Sequence, residues 1–170
     1  MTAPSACWQA VPEPAWPSMC RTWAVATVSR WDIQLTDDLR ITLELAISEL
    51  VTNTIRHGGP LQEHVTVRLL ALDEQLLLLE VLDTSHVHLL PDVVVAGEQD
   101  ENGRGLALVD ALSYRWGYYP TAEGKTVWAL LGAPPESAPT PSPPRPPGKP
   151  EGDAHQRASP SPRIHDPIPA

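Results

Sequence analysis

The segment that most constrains the fold of this chain is residues 43–57, which has the pattern of a helix with two distinct faces. At about 100° per residue, one sector is apolar or weakly polar, and its members are Leu43, Ile47, Leu50, Val51 and Thr54. Glu49, Asn53 and Arg56 fall on a neighbouring stripe, at i, i+4 and i+7. A carboxylate one turn before a carboxamide can direct both groups at one point. Because asparagine is only a middling helix former, its place inside this helix needs a reason.

Two interpretations of this acid and amide stay open from the helix alone. In the first, Glu49 and Asn53 belong to a solvated face and do nothing further. In the second, Asn53 is a hard-oxygen ligand of Mg²⁺, and Glu49 is a base that activates a water or a hydroxyl group.

The composition changes sharply after residue 132. Residues 133–170 hold 13 of the 20 prolines and too few apolar side chains to offset the entropy of ordering them. They predict a disordered, partly polyproline tail, whose role as a tether, as a docking segment or as neither stays open. Residues 1–17 are also rich in proline, and we expect them to be poorly ordered. Residues 18–132 then form one folded domain.

The charge is concentrated ahead of the tail. Residues 1–132 carry 8 basic and 17 acidic side chains, a net charge of −9, whereas the tail carries four of each. Such an acidic domain is unsuited to nucleic acid, which needs clustered Lys and Arg. Since the chain shows neither an apolar run of membrane-spanning length nor a signal-peptide pattern, we expect a cytoplasmic protein that binds no membrane. Cys7 and Cys20 are then expected to be free thiols rather than a disulfide.

The order of elements predicts an α+β fold. Helices are expected over residues 19–31 and 37–57, the second capped by Thr36. Strands follow over 64–72 and 75–82, then a helix opened by Gly103-Arg104-Gly105 and a closing hairpin of residues 115–119 and 125–131. Because the helices are segregated from a mostly antiparallel sheet, the pattern favours a two-layer α/β sandwich with its helices on one face.

Other polar residues are site candidates that also have plain structural explanations. Asp83, at the end of a buried strand, could accept a hydrogen bond from an exocyclic amine such as that of adenine, or it could only cap a turn. Residues 103–105 could cradle a phosphate with backbone N–H groups, or they could only form a turn. Gly124-Lys125-Thr126 resembles the end of a P-loop, but the required earlier glycine is Tyr119 and a strand follows. Thr126 remains a candidate as a strand hydroxyl near a base-binding pocket.

Histidines and tryptophans give weaker signals. His57, His86 and His88 suggest a zinc site, but no cysteine lies near them, and a His-x-His pair in a polar loop is usually solvated. The six tryptophans do not alternate with basic residues, which favours packing over base stacking.

Four segments, taken in order, resemble one known family. They are residues 49–57 (ELVTNTIRH), 81–85 (VLDTS), 103–106 (GRGL) and 124–128 (GKTVW). They are similar to the anti-sigma-factor serine/threonine kinases of bacteria, especially the short actinobacterial members. That family lies within the superfamily of gyrase, Hsp90-type chaperones, histidine kinases and mismatch-repair ATPases. The resemblance covers about residues 20–132.

The resemblance implies an ATP and Mg²⁺ site. In that site Asn53 holds the magnesium ion and Glu49 is the catalytic base. Asp83 binds the adenine amino group with help from Thr126, and residues 85–102 form a flexible lid. The other implied nucleotide-binding residues are Arg56, His57, Ser85, Gly103, Arg104, Gly105 and Leu106.

Three functional hypotheses follow. The first is an ATP-dependent kinase that phosphorylates a serine or threonine of a small anti-sigma antagonist. The second is a non-catalytic module that sequesters a sigma factor or another regulatory protein. It is motivated by Ser85 and Val87, which stand where the family often has glycines, and by Glu101 in place of the first glycine before Gly103. The third is the fold without nucleotide. A homodimer through the first helix is a further implication of the resemblance.

Overall fold

The computed structural model describes residues 3–11, 13–31, 33–57, 64–84, 104–122, 124–133 and 164–165. The elements, in chain order, are β1 (Ser5–Ala10), α1 (Trp16–Val28), α2 (Asp37–His57), β2 (Val65–Ala71), β3 (Leu76–Asp83), α3 (Arg104–Leu112), β4 (Arg115–Pro120), β5 (Lys125–Gly132) and β6 (Ile164–His165). Every helix and strand expected between residues 18 and 132 is present.

The strands form one sheet in the order β1-β2-β3-β5-β4-β6, and each neighbouring pair is antiparallel. This confirms the α+β class and the antiparallel sheet. The hairpins β2–β3 and β4–β5 lie side by side, joined by the pairing of β3 with β5. The register of that pairing sets Asp83, the last residue of β3, opposite Lys125, the first residue of β5.

The helix α2 has the start that the sequence predicts. The backbone N–H of Leu39 donates to the Thr36 hydroxyl at 3.2 Å, as an N-cap requires. Asp37 and Asp38 occupy the first turn, where a negative charge favours the helix dipole. The helix α1 begins at Trp16, earlier than expected, because Pro17 fits the first turn of a helix. Within the described ranges, no helix is both long enough and apolar enough to span a membrane.

Two apolar clusters lie on the two faces of the sheet. On the first face, odd-numbered residues of β2 and β3 pack against α1 and α2, where Leu43, Ile47 and Val51 are fully buried. We call this the helix face. On the opposite, outer face, a second cluster contains Leu76, Leu78, Tyr119, Trp128 and Leu130. This division follows from the two-residue period of a strand, which sends successive side chains to opposite faces.

The strand β1 contradicts the expectation that residues 1–17 are poorly ordered. Residues 5–10 pair with β2, from Ser5 opposite Leu70 to Ala10 opposite Val65. The Trp8 ring stacks on that of Trp16, with centroids 5.2 Å apart, and packs against the helix-face core. This burial of apolar ring surface stabilises the strand despite the proline-rich sequence around it.

The tail is described only at Ala133 and at the two-residue strand β6. In β6, Ile164 lies opposite Gly117 and His165 opposite Trp116, at the edge of the sheet beside β4. A fully disordered tail is therefore wrong at these two residues. The remainder of the predicted disordered segment lies outside the described residues.

Both cysteines are free thiols, as predicted. Cys7 is exposed, whereas Cys20 lies in the helix-face core. Burial raises the pKa of the Cys20 thiol to about 12. Cys20 therefore stays protonated at neutral pH and behaves as a small apolar side chain.

A buried polar pair lies on the outer face of the sheet. The Tyr119 hydroxyl donates to the Glu80 carboxylate at 2.9 Å, and both residues are buried. Burial, together with the negative charge of Glu80, raises the pKa of Tyr119 to about 12.

We expect Tyr119→Phe to lower the free energy of unfolding by about 1–3 kcal/mol at neutral pH, because buried Glu80 loses its hydroxyl donor. The pKa of Tyr119 is higher in the folded state than its ordinary value of 10.0. Its stabilisation is therefore complete below pH 10 and is lost as the pH rises towards about 12. Urea denaturation should show the difference between wild type and variant shrinking over that range. Tyr118→Phe, one residue away on the helix face, is the control, and a pH-independent difference for Tyr119→Phe would contradict the assignment.

Candidate functional site

A cavity of about 120 Å³ opens where α2, the start of α3 and the adjoining ends of β3 and β5 meet. Its lining residues come from all four elements and are Leu50, Asn53, Thr54, Asp83, Leu106, Lys125 and Val127. The amphipathic pattern of α2 explains its share: Leu50 and Thr54 face the core, and Asn53 lies beside them. Residues far apart in sequence are thus brought together at one end of the sheet.

An ion pair forms one wall of this cavity. Asp83 is 1 % exposed, and one of its carboxylate oxygens, Oδ2, lies 3.5 Å from the Lys125 ammonium. Because the two residues are direct partners in the β3–β5 ladder, their side chains leave the same face of the sheet. The structure therefore places Asp83 at the cavity.

The hairpin turn before Lys125 approaches this wall closely. The backbone N–H of Thr121 donates to the Gly124 carbonyl at 2.8 Å, and Gly124 has a φ of 154°. A Cβ atom at Gly124 would collide with the backbone carbonyl oxygen of Asp83. Only glycine allows this approach, which sets the position of Lys125 beside Asp83.

The start of α3 lies directly against the acid and amide of α2. A Cβ atom added at Gly105 would lie 2.7 Å from Glu49 Oε2 and 3.3 Å from Asn53 Nδ2. Glu49 and Asn53 therefore face the space that the side chain of any larger residue at position 105 would occupy. Glu49 is half-buried beside α3, next to the cavity rather than among its lining residues.

The start of α3 and the polar groups of Glu49 and Asn53, here called the cradle, have the chemistry to hold an anion and a magnesium ion. The Asn53 amide oxygen is a hard-oxygen ligand of the kind that Mg²⁺ prefers, with water or phosphate as its other ligands, and the Glu49 carboxylate lies beside it. Backbone N–H groups in the first turn of α3 have no partner within that helix, which favours a negatively charged ligand. Among the described residues no group of three or more His, Cys, Asp or Glu side chains could hold a metal. His86 and His88 lie outside those residues.

The expected position of Thr126 is wrong. Thr126 follows Lys125 in β5 and so points to the outer face, where it is a cross-strand partner of Tyr119. Lys125 occupies the cavity instead. Strand alternation sends Lys125 and Thr126 to opposite faces, and the β3–β5 register shows that Lys125 is the one that shares a face with Asp83.

The remaining predicted site residues fall into two groups. Gly105 and Leu106 lie at the start of α3, Gly105 against Glu49 and Leu106 lining the cavity. Arg56 is exposed near the end of α2 and does not line the described cavity. His57 and Arg104 are the terminal residues of α2 and α3 with side chains outside the described set. Ser85, Gly103 and the expected lid over residues 85–102 also lie outside the described residues.

Fold and site together define a class of protein. The α+β sandwich has one cavity with apolar walls and the buried Asp83 carboxylate, and Asn53 belongs both to this cavity and to the cradle at the start of α3. This arrangement suits a ligand with an anionic end and a flat, hydrogen-bonding end.

The family model for the histidine kinase-like ATPase domain matches residues 14–131, well over half of the chain. The chain therefore belongs to this family, which implies that it binds ATP. No curated protein matches it.

Proposed function

We propose that this protein is a Mg-ATP-dependent serine/threonine kinase of the anti-sigma type, which phosphorylates a small anti-sigma antagonist. The observation that carries the proposal is the contact of Gly105 with Glu49 and Asn53, beside a cavity whose wall is the buried Asp83. The family supports ATP as the nucleotide. The order of the four sequence segments supports the regulatory subtype.

Each side chain has one task in this proposal. Asn53 would hold the magnesium ion, which neutralises charge on the transferred phosphoryl group when it is bound. The first backbone N–H groups of α3 bind phosphate oxygens. Leu50, Leu106 and Val127 pack against the base, and Asp83 accepts a hydrogen bond from its amine.

Glu49 supplies the proton chemistry. Its carboxylate takes the hydroxyl proton of the target serine or threonine as the hydroxyl oxygen bonds to the γ-phosphorus. The bond from that phosphorus to the bridging oxygen breaks, and ADP leaves with its electron pair. Positioning and charge stabilisation, rather than a covalent enzyme intermediate, carry such a transfer.

The acidic surface favours a second candidate function, sequestration of a basic partner without catalysis. Residues 1–132 have a net charge of −9, which would attract a basic sigma factor or other regulatory protein. Incubation with γ-labelled ATP and candidate antagonists separates the two proposals. Label on the antagonist supports the kinase, whereas partner binding with no label and no ADP supports sequestration. A homodimer through α1 is a further proposal, which light scattering would test.

We expect Asn53→Ala to weaken Mg-ATP binding by about tenfold or more, because a ligand of the charged magnesium–phosphate group is lost. Calorimetry on the full chain measures this directly. Wild type should also gain about 2.7 kcal/mol of stability at a nucleotide concentration of about 100 Kd. Thr52→Ala is the matched control, since Thr52 is the neighbouring residue of α2 and does not line the cavity. Equal Mg-ATP affinity in wild type and Asn53→Ala would overturn the metal assignment.

A further inference from the structure

Lys125 lies in the wall of the cavity, although the P-loop comparison of its segment suggested no role for it. The Lys125 side chain is 21 % exposed and that of Asp83 only 2 %, with 3.5 Å between Lys125 Nζ and Asp83 Oδ2. Both residues line the cavity together with the apolar side chains of Leu106 and Val127. A ligand that reaches Asp83 must therefore also meet the ammonium group.

The two groups have opposite hydrogen-bonding character. A carboxylate is a pure acceptor with about four lone-pair sites. An ammonium has three donors and no acceptor. The cavity wall therefore presents an acceptor beside a donor. The complementary ligand edge carries a donor beside an acceptor, as adenine does with its exocyclic amine next to the ring nitrogen N1.

Lys125 could instead be a competitor that occupies Asp83 until a ligand displaces it. Displacement would separate a nearly fully buried carboxylate from its counter-ion, and breaking such a pair is strongly unfavourable. The strand register also keeps the two residues directly opposite each other. Retention of the ion pair during binding is thus favoured over its replacement.

We infer that Lys125 is a second base-reading residue, which donates a hydrogen bond to the ring-nitrogen acceptor next to the amine that Asp83 binds. This inference rests on the proposed binding of ATP at this cavity. Asp83 then recognises the amine, Lys125 recognises the adjacent acceptor, and the ion pair holds both groups in register. Base specificity then depends on a pair of side chains rather than on Asp83 alone.

The test compares ATP with 1-deaza-ATP, in which the ring nitrogen N1 is replaced by C–H. Calorimetry with Mg²⁺ is performed on the full chain as wild type, Lys125→Met and Lys125→Arg. Wild type should bind 1-deaza-ATP about tenfold more weakly than ATP. Lys125→Met should bind ATP about tenfold more weakly than wild type and should not distinguish the two nucleotides. Lys125→Arg, which keeps a donor, should retain most of the discrimination.

Each other outcome overturns the inference in a recognisable way. Tighter ATP binding by Lys125→Met would show that Lys125 competes for Asp83. Equal binding of the two nucleotides by wild type would show that no residue reads the ring nitrogen. Thermal unfolding without nucleotide identifies a misfolded Lys125→Met, in which case the wild-type comparison and Lys125→Arg still decide. Failure of wild type to bind either nucleotide would overturn the proposed function together with this inference.

Discussion

Replacing Glu49 by glutamine is expected to lower the rate of phosphoryl transfer by about 10²–10⁴-fold, the range that general-base catalysis supplies. Glutamine keeps the size of the side chain and its place against Gly105, which has no Cβ atom and therefore leaves room for Glu49 Oε2. It cannot accept the hydroxyl proton at neutral pH. Because the cradle is preserved, ATP affinity should change little while the rate constant at saturating nucleotide falls. The rate is measured from transfer of γ-labelled phosphate to the antagonist protein.

Glu44→Gln is the matched control for this experiment. Glu44 lies on the same helix, and its carboxylate accepts a hydrogen bond from Arg40 at 3.3 Å. The same loss of one negative charge from α2 should leave the transfer rate near that of wild type. If Glu49→Gln transfers phosphate as fast as Glu44→Gln, Glu49 is not the base.

Gly124→Ala is expected to destabilise the protein by about 2–4 kcal/mol. The backbone at Gly124 has a φ of 154°, and the new Cβ atom would collide with the carbonyl oxygen of Asp83. The backbone atoms of a buried strand cannot move aside as a flexible side chain would. Backbone strain in the turn and disturbance of the β3–β5 register therefore both lower the stability. Urea denaturation measures the loss. The melting temperature should fall by roughly 10 °C.

A second substitution in the same turn shows whether the loss of stability comes from backbone strain at Gly124 or from any change in the hairpin. Ala122 is exposed, and Ala122→Ser should leave stability within about 0.5 kcal/mol of wild type. The Gly124 variant should also bind ATP more weakly, because movement of the turn shifts Lys125 away from Asp83. A Gly124→Ala protein as stable as Ala122→Ser would show that the turn adapts and that glycine is not required there.

Much of the fold was accessible from local patterns. The apolar stripe of α2, its Thr36 cap and the alternation in β2 each report on a few consecutive residues, and the structure has all three. The two hairpins likewise follow from turns of a few residues. The strand β1 escaped such reasoning because its stability depends on Trp8 meeting Trp16 and on pairing with β2.

The candidate site shows the same difference between local patterns and long-range contacts. The sequence by itself determined that an acid and an amide share one stripe of α2, and that a carboxylate ends a buried strand, because helical and strand periods are local properties. Only the tertiary structure decided that Gly105 lies against that acid and amide, and that Lys125 rather than Thr126 faces the cavity. Those contacts depend on which strands pair and in what register, and register is set by packing between segments distant in the chain.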